Sequence, residues 1–230
     1  MNEFIGNSLF FGVGISLLGY EIGMLLKKKF KLAIFNPLLV SILFVMLVLS
    51  VFHIGYGDYN EGAKYLSYLL TPATVCLAIP LYEQMEILKS NIKAIIIGIA
   101  AGVLTSLFSV FLLCLLFDFT HEQYVTLLPK SITTAIGMGV SEELGGIVTI
   151  TVAVIIITGV FGGMMAETIC KLFRITHPIA KGLSIGTSAH AVGTAKALEM
   201  GEIEGAMSSL SIAVAGLLTV VGASVFMNFI

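Results

Sequence analysis

Charged residues are scarce in this sequence. Lysine and arginine together number 12 and aspartate and glutamate 14, which makes 11% of 230 residues. Soluble domains carry about 25% charged residues, so this chain has too few to cover a soluble globule. The formal net charge of −2 also excludes a basic nucleic-acid-binding protein, and we expect no nucleic-acid partner.

Tryptophan is absent and cysteine occurs only three times. Cys76, Cys114 and Cys170 lie within apolar runs at no metal-like spacing, which favours small buried apolar residues. The sequence also contains no phosphate-binding loop, no nucleophile–base–acid set and no metal cluster. We therefore expect neither an enzyme nor an ATP-driven pump, and no cofactor or metal.

Apolar residues dominate, at 57% of the chain. This composition excludes a disordered chain and indicates that lipid is the solvent. A spanning helix needs about 20 apolar residues, so the chain has room for roughly seven or eight membrane elements. The fold class that follows is an all-α polytopic integral membrane protein, with residues 1–230 forming a single membrane domain.

Uncharged stretches predict five continuous spanning helices, the first extended past one glutamate: Phe4–Leu26, Leu32–Phe52, Ala94–Phe117, Leu144–Ala166 and Gly205–Ile230. Three further apolar segments are interrupted by proline, glycine or hydroxyl residues: Tyr65–Tyr82, Gln123–Ser141 and Pro178–Ala197. Such breaks free backbone groups that hydrocarbon cannot satisfy, so protein or water must surround them. We expect the functional residues in these broken segments.

The basic residues set an expected topology. The lysines at 27–29 and 31 follow the first span, which places them in the cytoplasm and the N-terminus outside. The group Lys171, Arg174 and Lys181 is expected inside as well, with Asp118 outside. Gln123–Ser141 would then enter and leave on one side, as a re-entrant segment.

An internal repeat is predicted, with residues 31–117 as the first repeat, 118–143 as a re-entrant connector and 144–230 as the second repeat. Ala63–Ser67 aligns with Ala180–Ser184, and Gly102–Thr105 aligns with Gly216–Thr219. Each half shows a long span, a broken helix and a long span. Inverted repeats of this kind are typical of secondary transporters, although chance similarity is the alternative in a sequence built from few residue types.

Lys130 is a deep cation, and hydroxyl residues follow it at Ser131, Thr133 and Thr134. Hydroxyls and exposed N–H groups at a half-helix N-terminus, together with one ammonium, favour an anion pocket. Thr71 and Thr74 flank a proline in the first half in the same way.

In the second half, the stretch Ser188–His190 occupies the corresponding place, with Ser188 aligned to Thr71 and His190 aligned to Ala73. His190 shares a helix face with Thr194, and it either makes an interhelical hydrogen bond or binds an anionic oxygen and carries a proton. For Lys196, with Glu199 close by, the interfacial interpretation is favoured. Four GxxxG pairs, beginning at residues 19, 98, 159 and 182, indicate close helix packing.

Three stretches resemble signatures of the LrgB/CidB family, in the right order and over nearly the whole chain. They are Leu70–Val75 with Ala78–Tyr82, Pro129–Thr134, and Gly182–Glu199 continuing at Glu202–Ala206. One departure is Ala135, where relatives often have proline or another small residue. The resemblance implies a multi-pass protein of the bacterial cytoplasmic (inner) membrane, working beside a smaller LrgA/CidA-type membrane partner.

The resemblance implies two functions. Bacterial members are labelled holin/antiholin-like proteins that modulate murein hydrolase export and lysis, whereas plastid relatives exchange glycolate and glycerate and other bacterial relatives are linked to pyruvate movement. Because broken helices and sparse polar groups suit a carrier, our hypothesis is a homo-oligomeric carrier of small monocarboxylates, coupled to protons through His190. The alternative is the antiholin-like role.

Overall fold

A computed structural model of the chain describes residues 9–30, 32 and 35–230. These residues are largely helical, and no strand occurs among them. The helices are α1 Leu9–Phe30, α2 Pro37–Val51, α3 Tyr56–Ser67, α4 Leu70–Cys76, α5 Ala78–Glu83, α6 Met85–Leu116, α7 His121–Leu127, α8 Thr134–Glu143, α9 Val148–Leu172, α10 Pro178–Met200 and α11 Glu202–Phe226, followed by a 3-10 turn, Met227–Phe229. The chain divides into two compact units, Met1–Cys76 and Leu77–Ile230.

Within the described part, five helical stretches are long and apolar enough to cross a membrane: Phe10–Phe30, Tyr56–Glu83, Met85–Leu116, Val148–Leu172 and Glu202–Phe229. Large apolar side chains on them are exposed, among them Phe10 at 83% and Leu217 at 71%. Such exposure is unfavourable in water and ordinary in lipid. The chain is an all-α polytopic membrane protein, as its composition predicts.

The first two predicted spans differ from the observed helices. Residues 4–8 of the first span lie outside the described residues, as does Lys31 of the basic cluster. Residues 33 and 34 of the second span also lie outside the described residues. The described part of that span forms the 15-residue α2, whose start Asn36 caps by accepting hydrogen bonds from the backbone N–H groups of Leu38 and Leu39 at 2.9 and 3.4 Å. At 1.5 Å per residue α2 is about 22 Å long, shorter than the ~30 Å hydrocarbon core.

The predicted break in Tyr65–Tyr82 is confirmed. The helical pattern is interrupted at Tyr68–Leu69 and again at Leu77. Each interruption precedes a proline, Pro72 or Pro80, by three or four residues. A proline has no N–H to donate to the carbonyl four residues earlier, and its ring clashes with that carbonyl. The sequence therefore divides this apolar run into α3, α4 and α5.

The segment Gln123–Ser141 forms two short helices, α7 and α8, joined by residues 128–133. Both helices pack against α9. Buried hydrogen bonds fix this arrangement, because Thr151 of α9 donates to the carbonyl of Thr126 at 2.9 Å and lies 2.7 Å from the hydroxyl of Ser141. Its entry and exit on one side of the membrane stay a prediction.

The break predicted in Pro178–Ala197 is confined to one residue. Helix α10 runs from Pro178 to Met200, and only His190 has non-helical backbone angles, with φ 40° and ψ −135°. The several glycines of this segment do not interrupt it. Gly182 and Gly186 lie where α11 approaches closely, so their small size serves packing rather than flexibility, whereas Gly193 contacts Ile185 and Ala189 of its own helix.

The glycine pairs pack as predicted in both units. In the second unit, a Cβ at Gly182 would lie 2.5 Å from the carbonyl oxygen of Glu204, and one at Gly186 would lie 2.5 Å from that of Ser208. These glycines let α10 meet α11 backbone to backbone. In the first unit, Gly23 meets the backbone of Pro37 in the same way.

The core of the second unit is built around α6. Its buried residues recur at three- or four-residue spacing: Ile95, Ile99, Val103, Leu107, Val110 and Cys114. Cys170 is buried too, as predicted, whereas Cys76 is exposed, so the expectation of three buried cysteines is wrong at that position. In the first predicted repeat the leading span is the 15-residue α2 and not a long helix. The single domain, the repeat boundaries and the inverted orientation stay predictions.

Candidate functional site

A cleft of about 710 Å³ opens in the second unit between α6, the connection at residues 128–133 and the first half of α10. Its polar lining residues come from all three elements: Asn91, Thr105 and Ser106 from α6, Lys130 and Ser131 from the connection, and His177, Ser184, Thr187 and Ser188 at the start of α10 and along it. The rest of the lining is small or aliphatic. The cleft thus places hydroxyls and one ammonium between helices of a membrane protein.

Lys130 carries the positive charge of the connection. Its Nζ donates a hydrogen bond to Ser131 Oγ at 2.9 Å, and among the described residues no carboxylate is paired with it. Burial lowers the pKa of the Lys130 ammonium below its ordinary value of 10.5. An ammonium has three N–H donors, so two remain for a ligand. A bound anion would offset the cost of burying this charge.

Ser131 is arranged as a donor toward the cleft. Its oxygen accepts hydrogen bonds from Lys130 and, at 3.2 Å, from the hydroxyl of Ser106. A hydroxyl has two lone pairs and one proton, so both lone pairs are occupied and the proton is left to donate. Within the described part of the chain no acceptor takes that proton. Together with Lys130, this corner of the cleft offers three donors to an anion.

The helical walls of the cleft present acceptors instead. Thr187 donates to the carbonyl of Leu183 and Ser188 to that of Ser184, both at 2.7 Å. Thr105 donates to the carbonyl of Ala101 in the same way. With their protons used inside the helix, these hydroxyls offer lone pairs to a ligand. The cleft is therefore asymmetric, with donors at the connection and acceptors along α6 and α10.

Two glycines let the walls of the cleft approach each other. A Cβ at Gly102 would lie 3.0 Å from Thr187 Oγ1, and one at Gly98 would lie 3.3 Å from Leu183 Cδ1. Both glycines line the cleft on α6, one turn apart. Small residues at this spacing bring α10 close to α6.

Three of the predicted site residues meet in the cleft, namely Lys130, Ser131 and Ser188. Thr133 caps the start of α8 without a side-chain cap hydrogen bond, and Thr134 is the first residue of that helix. The predicted half-helix therefore begins where expected. Thr71 and Thr74 lie on α4 of the first unit. The binding roles of these four threonines stay predictions.

His190 and Thr194 are not among the residues that line the cleft. The ring of His190 points to α9, with Nε2 3.1 Å from the carbonyl oxygen of Ile155. Thr194 Oγ1 donates to the carbonyl of His190 at 2.9 Å and lies 2.7 Å from Ser208 Oγ. These contacts match the interhelical hydrogen bonding that was one of the two interpretations of His190. Contact with substrate and proton coupling stay predictions.

Lys196 is an ion-pair residue, in agreement with the interpretation favoured for it. Its Nζ lies 2.6 Å from a carboxylate oxygen of Glu167 on α9 and 3.1 Å from one of Glu199 on its own helix. Its charge is therefore balanced within the protein, in contrast to that of Lys130.

Sequence reasoning missed six polar residues of the cleft: Asn91, Thr105, Ser106, His177, Ser184 and Thr187. The available signal was spacing, because Gly98, Gly102 and Ser106 recur every four residues on α6. Ser184 and Ser188 do the same on α10. A face that combines glycine and hydroxyls at this period lines a polar cleft here rather than a helix contact alone.

No group of three or more histidine, cysteine, aspartate or glutamate side chains that could hold a metal occurs among the described residues.

Comparison with known proteins gives a consistent result. The model of the LrgB-like family matches residues 16–229. The chain is 40% identical over 222 residues, 96% of either chain, to the antiholin-like protein LrgB of Bacillus cereus strain B4264. It is equally similar to the protein of that name from Bacillus anthracis strain CDC 684 / NRRL 3495. No solved structure matches the chain.

Proposed function

Since the chain belongs to the LrgB-like family, we propose that it acts as an antiholin-like protein of the bacterial cytoplasmic membrane. The observation that carries this proposal is the 40% identity to proteins named antiholin-like, over 96% of both chains. Similarity over full length leaves no large insertion or deletion that would remove an element of the relatives. In this role the protein restrains murein hydrolase export and cell lysis.

The test is expression in a bacterium that lacks its own family member. We expect the protein to slow autolysis and to lower murein hydrolase activity in the medium, measured by turbidity loss and by digestion of labelled cell walls. An equally expressed variant with Gly186→Leu, which forces α10 from α11, is the matched negative control. Lysis at the same rate with the wild type and with this variant would contradict the antiholin-like role.

A second function, transport of small monocarboxylates, is favoured by a specific observation: the donor corner formed by Lys130 and Ser131. Two N–H groups of Lys130 and the hydroxyl proton of Ser131 have no other acceptor among the described residues. The two oxygens of a carboxylate can accept hydrogen bonds from these three donors, and the bonds from Lys130 are strengthened by charge. A pore for large proteins does not require a site that binds a small anion, such as the one formed by Lys130 and Ser131.

The acceptor walls refine the substrate of this second function. The hydroxyl oxygens of Thr187 and Ser188 offer lone pairs, which accept the proton of a hydroxyl group on carbon 2 of a bound acid. A 2-oxo acid has no such proton and leaves these acceptors unpaired. The cleft therefore favours 2-hydroxy acids such as glycolate and glycerate over pyruvate.

Uptake of labelled glycolate into vesicles that contain only this protein tests the transport proposal. We expect saturable uptake that falls at least tenfold in Lys130→Gln, because a charged hydrogen bond of about 1.5–3 kcal/mol is lost. Lys89→Gln on α6 is the control, since this exposed lysine lies outside the cleft. Uptake that is not saturable, or equal in the two variants, would refute the carrier. Passage of large dyes would indicate a pore.

A further inference from the structure

A second cleft, of about 660 Å³, lies where α9 ends and α10 begins. Three cations line it, Lys171, Arg174 and Lys181, against one carboxylate, that of Glu167. The formal charge of the lining is therefore three minus one, or +2. Because α9 is a spanning helix that ends at Leu172, this basic cleft lies at the level of the membrane surface, where lipid headgroups reside.

The carboxylates near the basic cleft are already paired. Glu167 accepts from Lys196 at 2.6 Å, and Lys181 lies 3.6 Å from Glu204. Lys171 is only 3.7 Å from Glu167, and its side chain is 82% exposed. Within the described residues Arg174 has no salt bridge and no side-chain hydrogen bond. Its planar guanidinium, with five N–H donors, matches the oxygens of a phosphate group.

Two apolar side chains adjoin this cation. Leu172 and Phe173 immediately precede Arg174, and they are 73% and 69% exposed. Exposed leucine and phenylalanine at the end of a spanning helix are well suited to contact acyl chains or the apolar part of the interface. A free anion in solution would contact only the cation, whereas a phospholipid contacts the cation with its phosphate and the two apolar side chains with its acyl chains.

The backbone fixes the direction in which Arg174 leaves the helix. At the end of helix α9, the backbone N–H of Arg174 donates a hydrogen bond to the carbonyl of Lys171 at 3.2 Å. The N–H of Ile175 donates one to the carbonyl of Cys170 at 2.8 Å. Arg174 itself has a φ of 55°. This is the left-handed helix end at which glycine is ordinarily most stable. An arginine is held there at a cost in backbone strain.

From the charge, the unpaired arginine and the adjoining apolar pair, we propose that the basic cleft binds the phosphate group of an anionic phospholipid. Arg174 and Lys171 contact the phosphate, Thr176 adds a hydroxyl, and the acyl chains lie against Leu172 and Phe173. This site is separate from the cleft at Lys130 and does not depend on the function proposed for that cleft. It ties the junction of α9 and α10 to membranes rich in acidic lipid.

The test is titration of the purified full-length protein in detergent with short-chain phosphatidylglycerol. Binding is measured by the shift in the thermal unfolding temperature and by displacement of a fluorescent phosphatidylglycerol. We expect phosphatidylglycerol to bind, and phosphatidylcholine of the same chain length or inorganic phosphate at the same concentration not to displace it. Equal displacement by inorganic phosphate would overturn the lipid assignment, and equal displacement by phosphatidylcholine would overturn the requirement for an anionic headgroup.

Arg174→Gly is the decisive variant, because it removes the guanidinium and relieves the backbone at the same time. We expect affinity for phosphatidylglycerol to fall about tenfold while the unfolding temperature without lipid is maintained or raised. Asp118→Gly makes the same backbone change at the end of α6, where φ is 53°, and serves as the matched control. Arg174→Gln, which keeps a side chain, should weaken binding similarly. Wild-type affinity in both Arg174 variants would overturn the proposal.

Discussion

The hydroxyl of Ser106 on α6 donates a 3.2 Å hydrogen bond to the hydroxyl oxygen of Ser131, in the connection between α7 and α8. These residues are 25 positions apart in the chain, and their contact joins the cation-bearing connection to a wall of the cleft. Because Ser131 also accepts from Lys130, Ser106 occupies its second lone pair and directs its proton into the cleft.

Ser106→Ala tests this positioning role. Ser131 then loses one of its two donors, and its hydroxyl is free to turn away from the substrate. Loss of one neutral hydrogen bond of about 1 kcal/mol predicts that the KM for glycolate uptake rises roughly fivefold. Ser109→Ala is the matched control, since Ser109 is half-buried one turn along α6, does not line the cleft and donates only to the carbonyl of Thr105. An equal rise of KM in both variants would contradict the assignment.

Thr187→Val tests the acceptor wall. Valine matches the shape of threonine but offers no lone pairs, so the contact with Gly102 is kept while the acceptor is lost. We expect kcat/KM for glycolate to fall several-fold and that for pyruvate to change little, because only glycolate has a hydroxyl group on carbon 2 that can donate its proton. The measurement is uptake of each labelled acid by the same vesicles. A parallel fall for both acids would assign Thr187 to packing alone.

Much of the fold followed from the sequence because lipid imposes strict rules on it. Run length predicted the long helices α1, α6, α9 and α11, although its second predicted span corresponds to the 15-residue α2. Pro72 and Pro80 predicted the interruptions before them, and the pair Gly182 and Gly186 predicted a close helix contact. The partner of that contact, α11, was not predictable, since a small residue indicates a close approach but does not identify the helix that approaches. Tertiary packing decides the partner.

Only a third of the polar residues that line the cleft, three of nine, were predicted, for a related reason. Lys130 and Ser131 stand out because a cation beside hydroxyls is rare in an apolar chain. Ser106 and Thr187 resemble the many hydroxyls that donate to their own helix, and only the approach of α6 to α10 gives them a common space. The non-helical backbone conformation of His190 could likewise not be predicted, because it is held by contacts with α9 and not by local residue preferences.

Gly186→Ala tests the close contact of α10 and α11. The added Cβ would lie 2.5 Å from the carbonyl oxygen of Ser208 and 2.7 Å from the Cβ of Ser211, atoms that move only with the backbone. Overpacking of this kind predicts a loss of about 1–3 kcal/mol in the free energy of unfolding. Gly139→Ala on α8 meets nothing within 4 Å and should be neutral or stabilising. Unfolding in mixed detergent micelles distinguishes the two, and equal stability of both would contradict the packing.

Thr151→Val tests the buried hydrogen bonds that hold the connection at Lys130. Thr151 loses its bonds to the carbonyl of Thr126 and the hydroxyl of Ser141, both of which stay buried. Leaving such groups unsatisfied predicts a destabilisation of about 1–3 kcal/mol. Thr149→Val makes the same change at an exposed position of α9 and should alter stability little. A Thr151→Val protein as stable as this control would show that water or rearrangement replaces the lost bonds.

His190 combines a strained backbone with a buried side chain, and two substitutions separate these features. Its φ of 40° is a conformation that glycine adopts freely and other residues do not. Both His190→Gly and His190→Ala remove the ring and its 3.1 Å contact with the carbonyl of Ile155. They differ in the backbone, because alanine keeps the strain and glycine relieves it.

We therefore expect His190→Gly to be more stable than His190→Ala by about 1 kcal/mol, measured by unfolding of both proteins in the same detergent. In an ordinary helix the order is reversed, since glycine is there about 1 kcal/mol less stable than alanine. Alanine as the more stable of the two variants would therefore show that α10 runs through His190 without a break.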